Sequence, residues 1–135
     1  MIDITSALWR FWEQFTLDGA PVPAYQADAV PDDAAYPYIT FEAPQGEAFG
    51  RLPLVARLWC RYELENNAAA IAQRMAIGEA IAKAIPPLVG HKLPLSVGFL
   101  MLYRGSGDFL YPMQDAGDKN VIGLRIGYEV TYYTT

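Results

Sequence analysis

The sequence is poor in the residues that usually announce a chemistry. It holds one cysteine, Cys60, and one histidine, His91, in 135 residues. No disulfide can close within one chain, nothing points to an oxidising compartment, and a Cys/His zinc site cannot be assembled. Cations are scarce too: ten Lys and Arg stand against fifteen Asp and Glu, for a formal charge of -5. Such a surface repels phosphate backbones at long range, so nucleic-acid binding would need a local basic patch. The scattered basic residues offer only Arg57 and Arg61 as a close pair on a strand. No apolar run approaches the roughly 20 residues of a membrane-crossing helix. The opening Met1-Ile2-Asp3-Ile4-Thr5 lacks the basic and apolar regions of a signal peptide. The expectation is a protein made and used in a cytoplasm, with no membrane partner.

Apolar residues make up 53% of the chain, the composition of a folded globular protein, and the length suits one domain spanning 1–135. After Asp3, whose carboxylate suits a helix start, Ile4, Leu8, Phe11, Trp12 and Phe15 recur at helical spacing. Asp18-Gly19 and Pro21 end that helix, and Val22-Pro23-Ala24-Tyr25 reads as an edge strand. Residues 28–35, with Pro31 and three aspartates, read as an exposed loop. Residues 38–43 alternate, Ile39 and Phe41 to one side and Tyr38, Thr40 and Glu42 to the other. Residues 54–62 alternate likewise, setting Leu54, Ala56, Leu58 and Cys60 against Arg57, Trp59 and Arg61. With the Gly/Pro-rich 44–53 between them, the two form an antiparallel pair with one covered face.

Asn66 or Asn67 caps a second helix that opens Ala68-Ala69-Ala70, buries Ile71, Met75, Ile81, Ala82 and Ile85, and stops at Pro86-Pro87. Residues 93–103 read as one or two strands broken near Gly98. Residues 105–119, with three glycines and three aspartates, read as a mobile loop, as do 44–53. Val121–Tyr133 is the clearest strand, with Ile122, Leu124, Ile126, Tyr128, Val130 and Tyr132 on one face and Arg125, Glu129 and Thr131 on the other. The expected fold is α+β: a mainly antiparallel sheet of four or five strands with two helices packed on one face.

No catalytic motif stands out. His91, between Gly90 and Lys92-Leu93-Pro94, reads as a solvated turn residue, and Cys60 as a small core residue without a base beside it. Gly105-Ser106-Gly107-Asp108 lacks the lysine and ensuing helix of a phosphate-cradling loop. Asp108, Asp115 and Asp118 do not match calcium-loop spacing. Glu42 and Glu129 read as cross-strand partners of Arg57, Arg61 or Arg125 rather than an acid–base pair. Trp59 is different: sharing a face with Arg57 and Arg61, away from the aliphatics, it gives that face the composition of an interaction surface or of a second, smaller core.

The order of parts carries more than any one residue. An amphipathic helix precedes Tyr36-Pro37-Tyr38-Ile39-Thr40-Phe41; a tryptophan strand, Leu58-Trp59-Cys60-Arg61, leads into the second helix; Tyr128-Glu129-Val130-Thr131-Tyr132-Tyr133 closes the chain. Over nearly its whole length this resembles the tail terminator (tail-completion, or minor tail) proteins of long-tailed bacteriophages and prophages. The resemblance implies a structural role without catalysis or cofactor. Members assemble as a ring, commonly a hexamer, on the end of the tail tube, stop its polymerisation and offer a surface for head joining. It implies as partners other copies of the chain, the tail tube protein and a head-completion or connector protein, with DNA only as passing cargo. The place of action is the virion tail, after assembly in the bacterial host cytoplasm. The expected contact residues are Arg57, Trp59 and Arg61, with Glu47, Phe49 and Arg51 near the first loop and Asp108, Phe109 and Tyr111 in the second. Two other readings stand beside it: another phage neck or head-completion connector, and a stand-alone small-ligand-binding α+β domain. A concave pocket with convergent polar side chains would favour the latter.

Overall fold

The computed structural model describes residues 4–44, 51–62, 67–115, 117, 118 and 120–134. Helix α1 (Ile4–Trp12) turns Ile4, Ala7, Leu8, Phe11 and Trp12 inward, the stripe its spacing predicts; Asp3, the expected cap, lies outside the described residues. Two short strands, β1 (Thr16–Leu17) and β2 (Ala20–Pro21), then form a small hairpin. Its turn residues, Asp18 and Gly19, have φ of 51° and 82°. Positive φ at both positions of a two-residue loop matches the twist of the flanking strands, and Asp-Gly is the pair that tolerates it. The dipeptide therefore turns a hairpin rather than ending the helix, which stops at Trp12.

Among the described residues the main sheet has seven strands, more than the four or five expected. Edge strand β3 (Ala24–Gln26) runs parallel to β4 (Tyr38–Phe41), and every other pairing is antiparallel. Strand β5 (Arg51–Arg61) joins β4 to β9 (Val121–Tyr133) and pairs with β9 along its whole length. It begins at Arg51, earlier than the alternation implies, and includes Pro53. That proline is tolerated because β4 stops at the Phe41–Ala56 pair, leaving β5 open on that side. The other flank of β9 is shared. Its second half pairs with β7 (Phe99–Arg104), which forms a hairpin with β6 (His91–Pro94); its first half pairs with β8 (Leu110–Gln114). A thirteen-residue strand is long enough to seat two shorter partners end to end.

Strand β8 falls inside 105–119, which reads as a loop. Pro112 and the surrounding glycines and aspartates conceal it, and a one-sided strand escapes their cost because Pro112 needs no second ladder. Residues 45–50, the body of the other expected loop, lie outside the described residues.

Both helices touch one face of the sheet. Trp9 of α1 packs edge-on to Phe41, Phe11 against His91, and Trp12 against Tyr128. The buried Trp12 Nε1–H donates to the Tyr128 hydroxyl at 3.3 Å. Helix α2 (Asn67–Ala84) lies on β5 and β9 and comes close to the sheet at Gly78, where an added Cβ would stand 3.0 Å from Leu124 Cδ2. That approach sets the helix phase: Ala70, Ile77 and Ile81 point inward, followed by Ile85 just past its end, whereas Ile71 is 38% and Met75 61% exposed. Two of the residues expected in the core are thus outside it. Alanine and aliphatics surround most of α2, so its sequence does not single out one stripe. Arg104, at the end of β7, ties down the end of α2 by donating to the Ile85 and Ala82 carbonyls at 2.7 and 2.9 Å.

Candidate interaction surface

The period of two that buries Leu54, Ala56, Leu58 and Cys60 sends the residues between them to the opposite face, which neither helix touches. Pairing then assembles rows across strands. One row runs Tyr38, Trp59, Gly123, Met113; the next runs Tyr25, Thr40, Arg57, Arg125, Tyr111. Trp59 is half-buried, since it lies over a glycine: a Cβ on Gly123 would come within 2.9 Å of Met113 Cε and 3.1 Å of Trp59 Cε3. The indole and the thioether close over that bare stretch of β9.

Three tyrosines continue the aromatic patch. The Tyr36 and Tyr25 rings stand 5.0 and 5.9 Å from that of Tyr38, and the Arg61 guanidinium lies 5.8 Å from the Tyr36 ring centre. Burial, followed by the neighbouring Tyr36, Asp115 and Tyr25, pushes the Tyr38 phenol up to about 12. The Tyr38 phenol therefore keeps its proton into strong alkali.

The arginines differ in how they are partnered. Arg61 pairs with Asp118 at 3.1 Å, and Arg51 with Glu129 at 3.1 Å. Glu42 instead accepts the Val55 N–H at 2.9 Å. The expected Glu42 and Glu129 pairings with Arg57, Arg61 or Arg125 are therefore replaced. Arg57 and Arg125 face each other directly across β5 and β9, and neither takes part in an ion pair among the described residues. Like charges directly opposite on a sheet repel.

Of the residues expected at a contact surface, Arg51, Arg57, Trp59, Arg61 and Tyr111 share this face. Asp108 lines a cleft of 230 Å³ with Ser106, Arg125 and Glu129. Phe109 packs against the edge of the core under the Arg104 guanidinium, 4.5 Å from its ring centre. Glu47 and Phe49 lie outside the described residues. Tyr25, Tyr36, Met113 and Arg125 join the patch beyond the residues expected there. Strand alternation already turns Tyr25 and Arg125 outward, whereas Tyr36 precedes β4 and Met113 sits in β8, which Pro112 conceals.

The groups with reactive potential are otherwise engaged. Cys60 is fully buried, and burial pushes its thiol up to about 11. His91 is not in a turn: it opens β6, half-buried with its ring 5.0 Å from Phe11. Asp115 and Asp118 accept the backbone N–H groups of Gly117 and Asn120 at 3.0 and 2.9 Å. Among the described residues, no group of three His, Cys, Asp or Glu is placed to hold a metal ion. An open cleft of 560 Å³ lies beside Arg51, Leu88, Tyr103, Arg104 and Glu129. Its charged side chains bind each other or backbone carbonyls rather than converging on the void.

No family model, curated protein or solved structure matches the chain.

Proposed function

We propose that this protein is a structural subunit of the tail terminator type, which caps a phage or prophage tail tube as a ring, ends tube growth and offers the head-joining surface. The observation that supports the reading is the helix-free sheet face, where Trp59, Tyr36, Tyr38 and Arg57 lie together. Aromatic residues and arginine are the types that concentrate at interface centres. A closed ring of identical subunits needs two different patches per subunit, each complementary to the other, and a one-sided α+β layer leaves one whole face for that purpose. Tail tube protein and a head-completion or connector protein would occupy the ring's two rims, with DNA as cargo through the lumen.

The test combines mass in solution with negative-stain imaging of the purified protein, and tail morphology in a phage or prophage lacking it. Closed rings and overlong or unjoined tails are expected. Normal tails of normal length made without the protein would remove the terminator reading. Rings together with tails of normal length that fail only at head attachment would favour a neck connector instead.

A further inference from the structure

We propose that the Arg57–Arg125 pair on the helix-free face is the seat for the acidic 28–33 loop of a second copy of this chain. The proposal builds on the ring reading above and names the two patches that meet. The two guanidinium-bearing residues stand opposite each other in register, between Thr40 on one side and the exposed Tyr111 on the other. No ion pair among the described residues neutralises either, although Arg51 and Arg61 on the same face each hold a carboxylate at 3.1 Å. Like-charged residues paired in register on one sheet face disfavour each other, and an anionic group bound across them relieves this, with bidentate geometry available between Arg and carboxylates.

The same chain carries the complementary patch. Asp28, Asp32 and Asp33 lie in the connection from β3 to β4; all three are exposed, and no ion pair among the described residues includes them. Each copy carries a formal charge of -5, so the attraction is local: three exposed carboxylates on one surface match two guanidinium groups on another. Patch and loop are different surfaces, so the contact is heterologous and propagates from copy to copy.

Charge reversal tests this in the full-length protein, with association followed by sedimentation velocity. Arg57→Glu/Arg125→Glu and Asp32→Arg/Asp33→Arg should each weaken self-association by at least about tenfold. Mixing the two variants should restore it: the reversed face of one meets the reversed loop of the other, while the two native patches still match. Because Arg57 is half-buried, Arg125→Glu alone serves as the milder variant, with far-UV circular dichroism and Tm confirming that it folds. Association of both variants as tight as the parent, or weakened variants that mixing does not rescue, would overturn the pairing while leaving ring formation by other surfaces intact. Rescue that yields open chains and never rings would support the pairing and count against the terminator reading. Association of the parent that requires single-stranded DNA, and that is lost in Arg57→Glu/Arg125→Glu but kept in Asp32→Arg/Asp33→Arg, would overturn it in favour of a nucleic-acid surface.

Discussion

Leu58 and Met75 mark the two ends of what a single side chain contributes here. Leu58 is fully buried between the two helices' side of β5 and the rest of the core, whereas Met75 is 61% exposed on α2. Leu58→Ala should therefore cost about 2–5 kcal/mol, from lost transfer energy and the cavity left behind. Met75→Ala should stay within roughly 0.5–1 kcal/mol. Urea unfolding of the two variants checks the contrast, and equal losses would mean that α2 is rotated from the phase described. A second residue-scale expectation concerns alkali. Burial pushes Cys60 up to about 11 and Tyr38 up to about 12, and it raises the Tyr128 phenol further still. The unfolded chain loses these protons near the ordinary thiol and phenol values, about 8.5 and 10, while the folded chain keeps them. Between those limits the unfolded state binds fewer protons, so stability is complete below about pH 8.5 and falls as pH rises toward 12. Thermal melts at pH 8, 10 and 11 should show a progressive drop in Tm beyond pH 9; a flat profile would count against the burial of these groups.

At the scale of elements, the end of α2 depends on one side chain from a distant strand. Arg104 donates to two carbonyls at the helix terminus, which have no further intrahelical partners, and its charge complements the negative end of the helix. Arg104→Ala should cost about 1.5–3 kcal/mol and speed amide exchange at Ile85, whose N–H bonds the Ile81 carbonyl at 3.1 Å. Exchange in β5 should stay unchanged. Loss of stability spread evenly over the sheet would show that Arg104 acts through its packing on Phe109 instead. The alternation in 54–62 and Val121–Tyr133 reads directly as two strands with one buried face, and the helical spacing from Ile4 to Trp12 reads directly as α1. Strand β8 does not read this way. Its pairing is supplied by β9, and isolated from β9 the stretch Leu110-Tyr111-Pro112-Met113-Gln114 has neither clean alternation nor a proline-free ladder.

For the whole molecule, the question is whether the aromatic face serves folding or association. Trp59 covers Gly123 and Met113 yet remains half-buried. If that face is an assembly surface, Trp59→Ala should lower folding stability by less than the roughly 3–5 kcal/mol of a fully buried aromatic. It should weaken self-association by about 2 kcal/mol or more, the range of an interface anchor. Chemical unfolding and sedimentation of the same variant separate the two effects. A stability loss of several kcal/mol with no separate assembly defect would make the outer aromatics a minor core.

The sequence by itself determined the α+β class, the first helix and its stripe, the inward and outward sides of β5 and β9, and the burial of Cys60. These follow from periodicities of 3.6 and 2, which local geometry imposes on any chain that buries one face. Only the tertiary structure decided the phase of α2, the existence of β8, the ionic partners of Arg51 and Arg61, and the in-register pairing of Arg57 with Arg125. Each of these depends on register between segments far apart in sequence. An alanine-rich helix offers several nearly equivalent faces until Gly78 meets Leu124, and a strand with a central proline is stable only where a neighbour supplies its single ladder.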